Sequence, residues 1–204
     1  MAPKSLNRIS FQEREQKILK SATSLFAKNG FKGTTTKAIA QVAGINEALL
    51  FRHFSNKEKL YSSILKTKLE AFDSRFLPKL KKAEALDLPK ALSLIATVWV
   101  GKMKHDQVFL RMMLYSALEN HPLSRRLFQE RLPFMEFLES FFAQRIVRKE
   151  IEAVDPKVLA RAFFSLIYHY MMITQIFRAR SYFPKTESEI IQDYVHIFLE
   201  GVSA

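Results

Sequence analysis

Apolar residues along this chain recur at intervals of three and four rather than two, and that spacing predicts helices from end to end. The first apolar stripe is Ile18, Ala22, Leu25 and Phe26. A capping box opens it, with Ser10 accepting from the amide of Glu13 and Glu13 reaching back, and Gly30 supplies a left-handed stop. Thr35 then caps a helix of barely two turns ending at Gly44, and Asn46 caps another through Glu47–Phe54. Neither is long enough to stand alone. Ala40 is small where helices must cross closely, Gly44 allows the positive φ of a tight turn, and Ile45, Leu50 and Phe54 are apolar anchors. Helix, glycine turn, helix is the DNA-binding helix-turn-helix pattern. A second capping box, Ser55 with Glu58, is expected to open a helix through Leu60, Ile64, Leu65, Leu69 and Phe72 that ends before Pro78. Lys57 falls in its first turn, where a cation opposes the helix dipole and a bound phosphate would satisfy it.

Beyond Pro89 the helices lengthen and prolines separate them. The run from Ala91 to Gly101 carries the only tryptophan, Trp99. Asp155 and Pro156 open a helix that is apolar nearly all round from Ala162 to Phe177. A helix without a polar face must be covered on every side, which predicts a ligand cavity on one side and a partner subunit on another. A third capping box, Thr186 with Glu189, starts the last helix and its stripe of Ile190, Ile191, Tyr194, Ile197 and Phe198; these two helices are expected to build a four-helix dimer interface. The 18 Phe and seven Met exceed what a minimal core requires and suit a cavity for a hydrophobic or aromatic ligand. Candidate lining residues are Trp99, Met103, Phe109, Met112, Met113, Phe137, Phe141, Tyr168, His169 and Met172, with His169 as a polar group to orient the guest.

Charge sharpens this picture. The 204 residues carry a formal +12, of which residues 1–60 hold +7, so the excess concentrates on the segment with the short helices. Such asymmetry points to a polyanion, nucleic acid or an anionic membrane surface, or else to a solvated basic face. The absence of Cys excludes disulfides, thiolate metal sites and Cys nucleophiles. The first residues lack an apolar run, and the longest uncharged stretch, the 16 residues from Ala162 to Phe177, falls short of the roughly 20 of a membrane span, so a cytoplasmic protein without a membrane partner is expected. The five His show no metal-ligand spacing, and neither a nucleotide loop nor a nucleophile elbow is present, so no metal, cofactor or catalytic site is expected.

The combination Ile18-Leu19, Ala22, Leu25-Phe26-Ala27, Gly30-Phe31, Thr34-Thr35, Ile39-Ala40, Ala43-Gly44-Ile45, Leu50-Phe51, His53-Phe54, Lys57-Glu58 and Leu60 resembles the N-terminal domain of the tetracycline-repressor (TetR) family of transcription regulators. That resemblance spans roughly residues 10–65. It implies an all-α homodimer: an N-terminal three-helix bundle with a helix-turn-helix, residues 1–56, on a larger helical ligand-binding and dimerisation domain, residues 57–204. The expected activity is that of a sequence-specific regulator, a repressor released from a double-stranded operator by a small hydrophobic ligand; the alternative is a DNA-binding protein of the same fold without ligand control.

With Leu50 set inward and 100° per residue, Ala48 and Arg52 lie at 160° and 200°, opposite the core. They, with Glu47 and Leu49, are expected to face the major groove: Arg52 on guanine or on phosphate, Ala48 or Leu49 against a thymine methyl, Glu47 on a cytosine amino group or merely favouring the helix dipole. The resemblance implies phosphate contacts by Thr35, His53, Lys57 and the residue at Phe51, where the family's common tyrosine hydroxyl is missing. Lys4 and Arg8 form either a minor-groove arm or a disordered tail.

Overall fold

The computed structural model describes residues 10–122, 124 and 133–202. Among these there are nine α-helices and no strand: α1 (Phe11–Asn29), α2 (Thr36–Ala43), α3 (Glu47–His53), α4 (Lys57–Lys81), α5 (Leu88–His105), α6 (Gln107–Leu118), α7 (Pro133–Val147), α8 (Pro156–Met171) and α9 (Glu187–Glu200). The proposed arm residues Lys4 and Arg8 lie outside the described residues.

The chain forms two compact units. The first holds the described residues up to Lys68 together with Arg111–Ser124, and the second holds Leu69–Leu110 and the described residues from Pro133 onward. The division thus falls within α4 and within α6.

In the first unit, Ile18, Ala22 and Phe26 of α1 are fully buried with Ile39 and Ala43 of α2, Leu50 of α3, and Leu60 and Tyr61 of α4. Each large side chain removed from water contributes about 1.5–3 kcal/mol, enough to hold helices too short to persist alone. The Ser10–Glu13 box closes as expected, Ser10 N–H to Glu13 Oε2 at 2.7 Å and Glu13 N–H to Ser10 Oγ at 3.1 Å. The α4 cap differs. Asn56, not Ser55, accepts from the Lys59 amide at 2.8 Å, so no Ser55–Glu58 box forms and Lys57 is the first helical residue. Nor does α4 stop before Pro78. Proline removes one amide donor but its φ is already helical, and the turn beyond it buries Leu80, so the helix continues to Lys81. The side chains of Leu69 and Phe72 are outside those described.

In the second unit α7 packs on α8, α5 packs on α8 and α9, and α9 also lies against α8. Its core joins Leu92, Ile95 and Val100 of α5, Leu138, Phe141 and Phe142 of α7, Phe163 and Ile167 of α8, and Val195 and Phe198 of α9. Asp155 caps α8 through the Lys157 amide at 2.8 Å, and the Thr186–Glu189 box opens α9. Arg145, almost wholly buried, donates to Ala83 O at 3.2 Å, Leu86 O at 2.8 Å and Glu150 Oε2 at 2.8 Å, which satisfies a charge that would otherwise be costly to enclose. The helix α8 ends in a wide π turn, Met172–Ile176. It is not covered all round: Val158 is 55% exposed and Phe177 just past the turn 67%, and Ala162, Ser165 and His169 are exposed as well.

Candidate nucleic-acid interface

Two short helices can present side chains to a partner only if the turn between them is fixed. Gly44 sits in the left-handed region at φ 66°, ψ 38°, and its N–H donates to Gln41 O at 3.1 Å while Ile45 N–H donates to Ala40 O at 3.0 Å. That pair of bonds is the Schellman arrangement, which closes the last carbonyls of α2 and reverses the chain. Thr35 caps α2 through the Ala38 amide at 3.1 Å, and Asn46 caps α3 through the Leu49 amide at 2.8 Å. A further brace crosses between the helix starts, Thr36 Oγ1 donating to Glu47 Oε1 at 2.7 Å.

On this frame α3 buries Leu50 and Phe54 and leaves Ala48 and Arg52 exposed. Leu49 is half-buried and Phe51 is 45% exposed, as expected of residues about 100° to either side of the buried direction. Thr35 is exposed at the start of α2. Among the described residues Arg52 makes no ion pair, so its guanidinium is available. Glu47 is half-buried with one carboxylate oxygen taken by Thr36, which ties it to the turn.

Two residues expected on phosphate are directed inward. His53 lies 60° from Leu50 on the helical wheel, and its side chain has no exposed surface, stacking on Phe11 at 4.0 Å with Nδ1 3.8 Å from Glu15 Oε2. Lys57, starting α4, turns its ammonium into the Phe31–Thr34 turn, donating to Phe31 O and Thr34 O at 2.9 Å each and lying 4.2 Å above the Phe31 ring. Its cation thus gives Thr34 O a donor and Phe31 O a second one beside the Thr34 amide.

The same turn is clamped by a segment that no motif marked. Gly30, at φ 74°, allows the chain to leave α1, and the Glu119 carboxylate accepts from the Phe31 amide at 3.0 Å and the Lys32 amide at 3.1 Å. Tyr115 donates to Lys28 O at 3.0 Å, Arg111 to Ala27 O at 2.7 Å, and Tyr61 to Met112 O at 3.0 Å. Burial, with the Glu119 charge adding to it, pushes the Tyr61 hydroxyl up to about 12. These partners are separated by 51 to 88 positions, so local spacing could not reveal them.

The candidate ligand residues are divided between the two units. Trp99 stacks on Phe134 at 4.3 Å and meets Phe164 edge-on at 5.2 Å, and Phe164 contacts Tyr168 at 5.7 Å. Met103 and Phe141 are buried, Phe137 lies 6.2 Å from Phe141, and Phe109 and Met172 are half-buried. Met112 and Met113 belong instead to the first unit, where Met112 is fully buried and its carbonyl receives Tyr61. His169 is exposed on α8, one residue round from the cluster-facing Tyr168. Among the described residues no helix is long and apolar enough to cross a membrane.

Residues 18–64 match the family model of bacterial regulatory proteins of the tetR family. The chain is 25% identical over 194 residues to an uncharacterised HTH-type transcriptional regulator of Bacillus subtilis, YvkB, covering 93% of this chain and 97% of that one. It is 28% identical over 188 residues to the HTH-type transcriptional repressor NicS of Pseudomonas putida, covering 92% and 82%. Among solved structures it is similar to AibR in complex with isovaleryl coenzyme A and operator DNA, with a TM-score of 0.66 at 21% identity over 92% of this chain and 97% of that one. The two sequence relatives are HTH-type transcriptional regulators, and the matched segment spans the braced helix-turn-helix. The N-terminal segment of the chain, residues 18–64, is that of the tetR family of bacterial regulatory proteins.

Proposed function

We propose that this regulator is a homodimeric repressor that reads an operator with α3 and leaves it when a small hydrophobic ligand binds. The observation that carries the reading is the exposed Ala48–Arg52 face on a helix whose start and preceding turn are braced by hydrogen bonds. Arg52 pairs with guanine, Ala48 and Leu49 meet a thymine methyl, and Thr35 and the edge of Phe51 touch the sugar-phosphate backbone. Glu47, His53 and Lys57 hold that face in place, Glu47 with its second oxygen still able to accept from a cytosine amino group. Residues 1–56 supply the reading head, and residues 57–204 bind the ligand and dimerise.

Support for ligand control comes from the aromatic cluster of Trp99, Phe134, Phe164 and Tyr168 and from the solved relative AibR, which carries both isovaleryl coenzyme A and operator DNA. Support for a dimer comes from exposed apolar side chains on α8 and α9, Val158 and Ile197. A ligand shifts operator affinity only by its differential affinity for the two conformations. The test is selection of a preferred duplex from random DNA, followed by a screen for hydrophobic compounds that release it. Enrichment of a palindrome with half-sites about 10 base pairs apart, centre to centre, or a multiple of that, is expected. Enrichment without any releasing compound would leave the DNA reading standing and remove ligand control.

A further inference from the structure

Beside the recognition helix lies a groove whose two cations the DNA contacts above do not use. It has a volume of about 550 Å³ and is walled by Arg14 and Lys17 of α1, by the turn Ala43–Asn46 and by Leu49. We infer that this groove seats a backbone phosphate of the bound duplex between Arg14 and Lys17, so that α1 is a second phosphate-contacting element; the inference rests on the proposed DNA reading.

Three observations carry it. The first is charge without local neutralisation. The acids nearest in sequence are turned elsewhere: Glu13 caps Ser10, Glu15 faces His53, and Glu47 holds Thr36. Among the described residues neither Arg14 nor Lys17 makes an ion pair, though two cations this close in the chain repel each other unless an anion lies between them. The second is shape. Gly44 has no side chain, and a Cβ there would begin 3.5 Å from Lys17 Nζ, so the ammonium borders the open floor of the groove at the turn. The third is continuity. Leu49 lines the groove and also flanks the Ala48–Arg52 face, so a duplex engaged by α3 passes the groove mouth. The remaining walls, Ala43, Gly44 and Ile45, offer no carboxylate to compete with a phosphodiester.

The test is the salt dependence of binding, measured by fluorescence anisotropy on the full chain with a selected duplex and a random duplex of equal length. Each neutralised phosphate contributes about 0.9 to the slope of log affinity against log salt, so losing the one phosphate by Arg14→Gln with Lys17→Gln should flatten the slope by about 0.9. The affinity lost between about 50 and 200 mM salt then becomes about 3.5-fold smaller. Phosphate contacts carry no sequence information, so the ratio of selected to random affinity should stay constant. Arg14→Lys with Lys17→Arg should preserve the slope. A control pair, Lys82→Gln with Lys157→Gln, removes the same charge from exposed positions elsewhere. An unchanged slope in the Arg14/Lys17 variant, an equal change in the control, or loss of slope in the charge-preserving variant would overturn the inference while the DNA reading stands. Failure of the unmodified protein to bind either duplex would overturn both.

Discussion

Lys57 and His53 are cationic or ionisable residues close to a proposed DNA surface, and neither is free to meet DNA as placed. The Lys57 ammonium serves two carbonyls of the Phe31–Thr34 turn. Lys57→Met should therefore lower stability by about 1–3 kcal/mol, the cost of leaving a partly buried acceptor without its donor, as read from urea unfolding. A salt slope flattened by about 0.9 with unfolding unchanged would return Lys57 to phosphate instead. His53 is enclosed between Phe11 and Glu15, and neither ring nitrogen has a hydrogen-bond partner among the described residues. Replacing it with Phe keeps the stack and removes unsatisfied polar atoms, so His53→Phe should leave stability and duplex affinity intact or improved. A clear loss of duplex affinity in that variant would give the imidazole a direct contact. The wheel that placed Arg52 outward places His53 inward, so the inward position was legible from the sequence; the family pattern pulled it the other way. Lys57 was not legible in the same sense. Its unusual place at a helix start was visible, but its partners belong to a turn 23 and 26 positions earlier.

At the scale of elements, caps and turns decide where helices begin, and most of them followed from local residue types: Ser10, Thr35, Gly44, Asn46, Asp155 and Thr186 all act as their chemistry dictates. The exceptions have local causes too. Asn56 outcompetes Ser55 one residue earlier, and α4 crosses Pro78 because burial beyond it sustains the helix. What stayed hidden is the clamp around Gly30. Glu119 accepts two successive amides with its two oxygens, a task one amide side chain cannot do because half of it donates. Glu119→Gln should cost about 1–3 kcal/mol in urea unfolding, and an unaltered midpoint would show that the carboxylate is dispensable. Tyr61, packed in the same unit, supplies a pH signature. Its hydroxyl is raised from 10.0 to about 12, so the folded state favours the neutral phenol. That contribution is complete below about pH 10 and is lost as pH rises toward 12, since only the unfolded chain ionises freely there. Stability of the unmodified protein should therefore fall more steeply across that window than stability of Tyr61→Phe. Parallel curves would contradict the assignment.

For the whole molecule, the sequence pattern led directly to a helical regulator with an N-terminal helix-turn-helix, and the matched family segment lies over those helices. The larger unit was less legible. Its aromatic richness is distributed through a packed core as well as the Trp99–Tyr168 cluster, and Phe is an equally good core residue and cavity wall. The exposed side chains of α8 and α9 lead us to expect a dimer in solution, which sedimentation equilibrium would report as twice the 23.7 kDa chain mass; a monomer at micromolar concentration would remove the subunit interface. The central claim is that α3 reads bases through Arg52. The most direct test compares equilibrium binding of the unmodified protein and Arg52→Ala to a selected duplex and its scrambled counterpart at one salt concentration. The account predicts that the ratio of the two affinities falls by about 1–3 kcal/mol in the variant, about 5- to 150-fold, with binding to the scrambled duplex much less affected. An equal loss on both duplexes, with the ratio preserved, would contradict it.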